Sequence, residues 1–278
     1  MKKTNKIMMA AVSILLSLVL ISTSLVSGIF ARFVIEKEVG VPIKFKAFGV
    51  TLTVSGTKEF TTVSNGNSAT ITFNNFEMYP GSACADAIRF VFDGKTTVAT
   101  KLTVGVKLEI DPKFVVPANT VIKDDKIVYM PLEFKVGYFT DKDNLTTTNV
   151  LPTKSNRYLE TSSSKTNQEL ADSAENEVKE VIRDKISSTM ASTSETKGID
   201  NGLYYVSGTF NAESENFFSN SSKGISFGFE WKERMSTATN NYTSDDSMKN
   251  AIEAYLGNTF KDGTVPMTFT ITVKLEQS

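Results

Sequence analysis

The sequence predicts a mainly β fold: an antiparallel β-sandwich of jelly-roll type with one or two peripheral helices inserted. Three observations predict it. Short runs rich in Val, Ile, Thr and Phe recur along the chain, and these residues suit a pleated, half-buried surface. Several runs alternate apolar and polar residues with period two, which buries one face of a sheet and wets the other. Turn dipeptides such as Asn65-Gly66 and Pro80-Gly81 separate the runs, and only two stretches change to a helical period. The 278 residues exceed what one hydrophobic core needs, and no repeat-array period is present.

In chain order, Lys2, Lys3 and Lys6 precede an uncharged run from Ile7 to Val26, followed by Ser27-Gly28-Ile29-Phe30-Ala31 and then Arg32. A basic start, an apolar run and a small terminal residue make a secretory signal over residues 1–31. Cleavage after Ala31 makes Ile29, Ala31 and Arg32 the processing site, although Ile29 is larger than the usual residue there. The run is just long enough to span a bilayer, so an uncleaved anchor is the other reading. Six Ser or Thr residues between Ile7 and Ser27 weaken that reading. No second apolar span follows, so the expectation after cleavage is a protein free of the membrane.

Residues 32–278 then read as one sandwich domain. Val39, Val41, Ile43, Phe45 and Ala47 alternate, and the phase slips to Phe48, Val50, Leu52 and Val54: a bulged strand, or two strands in sequence. Ala69 to Phe73 is the next strand. Ile88–Phe92 and Val98–Ile110 flank Asp93-Gly94-Lys95-Thr96, a hairpin signal. Ile127–Phe139 is a further strand, with Pro131 suggesting an edge. Thr140–Lys165 is polar and reads as loop. Over Gln168–Ile186 the residues Leu170, Ala174, Val178, Ile182 and Ile186 recur every four, an amphipathic helix whose narrow stripe places it on the surface of the sheet. Ser187–Gly198 is polar again, so about 140–200 reads as a loop-and-helix insertion. Strands return at Leu203–Phe210, Ile225–Trp231 and Val265–Leu275. Met248, Ile252, Tyr255 and Leu256 mark a short helix before the last strand.

Composition excludes several kinds of chemistry. The chain has no histidine, the commonest general base and metal ligand, and one cysteine, Cys84, which reads as a small buried hydrophobe. A zinc site or a histidine-dependent triad therefore lacks its parts. Without the three signal lysines there are 27 basic and 31 acidic side chains, a net charge of −4, which is no footprint for nucleic acid or an anionic membrane. The acidic groups Asp124-Asp125, Asp141–Asp143 and Asp245-Asp246 lack the spacing of a calcium loop. The reading is of no enzyme and no cofactor. A convergent carboxylate pair is the one hydrolase option that sequence leaves open.

Three segments carry a resemblance. They are Ser27–Val34 (SGIFARFV), with its Gly-x-x-Ala junction; Asn75–Ser82 (NFEMYPGS), a Pro-Gly step between strands; and Phe227-Gly-Phe-Glu-Trp231, followed by a helix ending Leu256-Gly257-Asn258 and a closing strand. Together they resemble the TasA/camelysin group of secreted bacterial matrix-fibre proteins. Arg32-Phe33-Val34 departs from the group's Tyr-Phe-Ser-Asp type of sequence. The resemblance implies a jelly-roll subunit of extracellular biofilm-matrix or cell-surface fibres, with its own copies, a signal peptidase and an accessory matrix protein as partners. Some relatives are described as metalloproteases, but this histidine-free chain has no zinc motif to match. In such fibres an N-terminal strand completes a neighbour's sheet, and Phe33, Val39, Val41, Ile43 and Phe45 are the candidate donor strand. The same strand pairing within its own sheet is the alternative. A monomeric polysaccharide-binding module using Tyr204, Tyr205, Trp231 and Tyr242 is the competing function.

Overall fold

The computed structural model describes residues 39–45, 48–56, 60–77, 83–120, 123–129, 132–139, 145–150, 158–219, 221–231, 246–260 and 264–278. The chain divides into two units, Met1–Glu38 and Val39–Ser278, and every described residue belongs to the second. Its strands are β1 (Val39–Phe45), β2 (Val50–Gly56), β3 (Thr61–Asn65), β4 (Ser68–Glu77), β5 (Ala83–Gly94), β6 (Thr100–Ile110), β7 (Val115–Val116), β8 (Lys126–Tyr129), β9 (Leu132–Phe139), β10 (Leu145–Val150), β11 (Tyr158–Ser162), β12 (Ser194–Asp200), β13 (Leu203–Phe210), β14 (Gly224–Trp231) and β15 (Thr264–Gln277). The helices are α1 (Asn167–Thr189) and α2 (Asp246–Thr259).

Two six-stranded antiparallel sheets form the sandwich, in the orders β1-β2-β5-β14-β9-β10 and β12-β13-β6-β15-β4-β3. The pairs β4–β15, β5–β14 and β6–β13 alternate between the sheets, and β9–β10 completes the set. A ribbon of paired strands wound alternately into two sheets is jelly-roll connectivity, as the sequence predicts. β1–β2, β3 and β12 extend it at the edges, and β11-β8-β7 forms a small third sheet.

The two inner faces meet through phenylalanines. Phe269 of β15 lies 5.6 Å from both Phe73 and Phe229 and about 6 Å from Phe227 and Phe134, ring centre to ring centre. The period-two pattern of β6 and β15 points Leu102, Val104, Val106, Ile271 and Val273 into this core. Pro266 sits where the β15–β4 register shifts, so the proline without an N–H falls at a bulge in a central strand.

Three expectations need correction. Asp93–Thr96 does not close a hairpin: β5 and β6 lie in different sheets, and the segment crosses between them. Turn chemistry reverses the chain but does not choose the sheet it returns to. The run Ile127–Phe139 is two strands in two sheets, β8 and β9. Pro131 falls between them, outside the described residues, and β9 has neighbours on both sides. The polar stretches at 140–165 and 187–198 hold β10, β11 and most of β12, because edge strands carry too few apolar residues to signal themselves. As expected, α1 lays its stripe on the sheet: Leu170, Ala174, Val178, Ile182 and Ile186 belong to the hydrophobic core, packed chiefly against β6, β11 and β13.

Candidate functional site

The N-terminal edge is built from β1 and β2. They pair antiparallel from Val39↔Gly56 to Phe45↔Val50, so the phase slip in the sequence is a turn between two strands. Phe48 N–H donates to the Phe45 carbonyl at 3.1 Å, and Gly49 has φ +68°, a conformation open to glycine. A Cβ on Gly49 would also meet the Lys95 carbonyl at 2.7 Å. This turn is therefore fixed by backbone geometry and by the neighbouring crossover.

Of the candidate donor-strand residues, Ile43 is 6% and Phe45 1% exposed, Val41 is partly buried against the core, and Val39 begins the strand. Phe33 lies outside the described residues, as do Ile29, Ala31 and Arg32. Among the described residues β1 is hydrogen-bonded to β2 alone and forms the outer edge of its sheet. The strand thus pairs within its own sheet, with no described strand on its other edge. Pro42 stands in this edge strand, where it cannot donate to a further ladder. Alternation alone passes over this proline, which is the signal that could have marked the edge.

The side chains proposed as a glycan platform separate. Tyr204 is 9% exposed and faces inward, with Lys179 Nζ 5.1 Å and the Arg183 guanidinium carbon 5.6 Å from its ring centre. Burial raises its phenol above the ordinary range. Tyr205, one residue on, points to the opposite face of the sheet and is half-buried. Nothing is described of the Trp231 side chain or of Tyr242.

Two groupings of titratable side chains among the described residues place carboxylates in or near the sandwich. Under α1, Glu175 Oε1 accepts from the Ile110 N–H at 2.7 Å, and its Oε2 lies 3.8 Å from Lys179 Nζ. Burial pushes Glu175 up, against the Ile110 hydrogen bond and Lys179, and burial likewise pushes Lys179 down, against Glu175. Here the Glu175 carboxyl ties α1 to the end of β6 through the Ile110 N–H. On the outer face of the other sheet, Glu230 of β14 stands directly opposite Glu133 of β9, a pair that needs the register to be seen. Lys135 Nζ lies 2.5 Å from Glu230 Oε2, so that carboxylate already has its counter-charge.

Among the described residues no group of three or more His, Cys, Asp or Glu side chains is arranged to hold a metal. Cys84 is buried. Asp124 lies in a loop where its N–H donates to Asn119 Oδ1, while Asp141, Asp143 and Asp245 fall outside the described residues. No described helix is long and apolar enough to cross a membrane. Comparison with protein-family models, curated proteins and solved structures found nothing that matches this chain.

Proposed function

We propose that this protein is a secreted structural subunit that joins copies of itself into extracellular matrix or cell-surface fibres by strand addition. The observation that carries the reading is the attachment of β1. It is the first described strand, sits at a sheet edge, is paired to one neighbour, and yet places Ile43 and Phe45 in the core. The same strand from a second copy would meet the same β2 edge and the same pockets, so exchange keeps the contacts and links two subunits. Because each copy gives its strand onward, the contact is heterologous and extends into a filament. The resemblance to the TasA/camelysin group supports this reading, and jelly-roll connectivity agrees with the fold that the resemblance implies. Signal cleavage after Ala31 would free the segment ahead of β1 during export. The partners are then further copies, a signal peptidase and an accessory matrix protein.

The test is negative-stain electron microscopy of protein beginning at Arg32 beside protein beginning at Thr51, with a peptide of residues 33–48 added to the first. Filaments from the Arg32 form alone, shortened by the peptide as it fills acceptor edges, are expected. Monodisperse particles from both forms, at high concentration and across pH, overturn the reading.

A further inference from the structure

We propose that the outer face of the β12-β13-β6-β15-β4-β3 sheet binds a neutral polysaccharide laid across the strands, with Tyr205 as its stacking platform. The register places Gly198, Tyr205, Gly105, Thr272, Thr70 and Val63 side by side in one rank across all six strands. At ordinary strand spacing the rank runs about 24 Å. Their sequence neighbours Val104, Val106, Ile271, Val273, Ala69 and Ile71 are buried in the core, so the rank itself faces away from it.

Strand side chains ordinarily stand roughly perpendicular to the sheet. Tyr205 does not, because its neighbours in the rank are glycines. A Cβ on Gly198 would collide with the hydroxyl end of the Tyr205 ring, so the half-buried ring leans over β12. Leu203 likewise lies over Gly105, where a Cβ would meet it at 2.8 Å, and extends the apolar strip beside the ring. Beyond the strip come paired hydroxyls: Thr70 with Thr272 and Thr72 with Thr270, each 3.3 Å apart. A hydroxyl offers one donor and two acceptor sites, so each pair keeps bonding capacity for a ligand.

Charge selects the ligand. The rank carries none, and the lysines on the same face stand beside glutamates: Lys107 with Glu109 at 2.6 Å, Lys274 with Glu276 at 2.7 Å, and Lys101 opposite Glu276 in the β6–β15 register. An anionic polymer would need unmatched cations. A second sandwich packing face to face would need interdigitating apolar side chains where this face presents threonines. A neutral pyranose chain has both parts that the face complements, C–H surfaces for the ring and hydroxyls for the threonines.

The experiment is depletion of the chain from Arg32 onward, which holds every described residue, by insoluble cellulose, curdlan and chitin, with alginate as the anionic contrast. Binding to at least one neutral glycan is expected, insensitive to salt. Tyr205→Phe should keep that binding, and Tyr205→Thr should weaken it about tenfold. Thr70→Val with Thr272→Val removes hydroxyls without disturbing strand shape and should weaken binding severalfold at an unchanged melting temperature. No depletion by any of the three neutral glycans, binding to alginate alone, or equal binding by the parent and the valine variant would each overturn the proposal. Fibre assembly uses a different sheet, so either proposal can fail without the other.

Discussion

Strand β15 is held on both flanks, by β6 and β4, whereas β1 is held on one, by β2. Both bury an alternating set of apolar side chains, Met267 to Leu275 in one and Ile43 and Phe45 in the other. The difference lies in what happens when a side chain is removed. Around β15 the neighbours are fixed from both sides and a cavity stays open. At β1 the strand has an open edge and is free to shift toward the gap. Removing Phe269, which touches four other phenylalanine rings, should therefore cost about 4 kcal/mol as Phe269→Ala. Ile43→Ala should sit at the low end of its class, about 2 kcal/mol. Urea unfolding of both variants checks the ranking, and equal losses would erase the distinction between centre and edge.

Hydrogen exchange sharpens the same contrast. Amides of β15 and β6 should exchange only through global unfolding, and those of β1 through local opening at lower free energy. Protection of β1 equal to that of β15 would mean the strand does not detach, which removes the basis for exchange between copies.

This contrast also explains what was legible in the sequence. Alternation in Leu102–Ile110 and Met267–Leu275 announces which face is buried, and the structure agrees except at Gly105, which Leu203 covers on the outer face. Alternation is silent on how many neighbours a strand has, so β1 and β15 look alike until Pro42 is weighed against Pro266. One proline marks an edge and the other a bulge. β12 was missed because exposed side chains such as Thr196 and Lys197 carry no apolar period. The rank that aligns Tyr205 with Thr272 and Thr70 joins residues 67 to 202 positions apart. Only the register of five strand pairs reveals it.

Helix α1 presents a third kind of burial, an apolar stripe that carries an ion pair with it. With Lys179 4% exposed and Glu175 lifted above its ordinary value, both charges are penalised at neutral pH. For Glu175 the folded value is raised, so its contribution is full at acid pH and lost as pH rises through that value. For Lys179 it is lowered, so its contribution is present above the ordinary lysine value and is lost as pH falls through the folded value. Glu175→Gln with Lys179→Met keeps an acceptor for the Ile110 N–H and removes both charges. It should stabilise the protein by about 1–2 kcal/mol at pH 7. That advantage should shrink toward pH 4, where Glu175 takes up its proton. A loss of stability in the double variant would show that pairing, rather than apolar burial, docks the helix.

The smallest effect is expected where α1 begins. Thr166 Oγ1 accepts from the Glu169 N–H at 3.2 Å, and Glu169 Oε2 accepts from the Thr166 N–H at 2.7 Å, a reciprocal capping box. The Thr166 backbone and side-chain hydrogen bonds hold the exposed Glu169 carboxyl below the usual range. These bonds satisfy two amides that the first turn otherwise leaves to water, but the helix is held chiefly by Leu170, Ala174, Val178, Ile182 and Ile186. Thr166→Ala should therefore cost about 1 kcal/mol. Thr166→Ser, which keeps the acceptor, should cost a few tenths. A loss from Thr166→Ala as large as that from Phe269→Ala would mean that α1 folds from its own end, with the sheet as follower. A loss near 1 kcal/mol places the helix where the buried stripe puts it, as an element the core assembles.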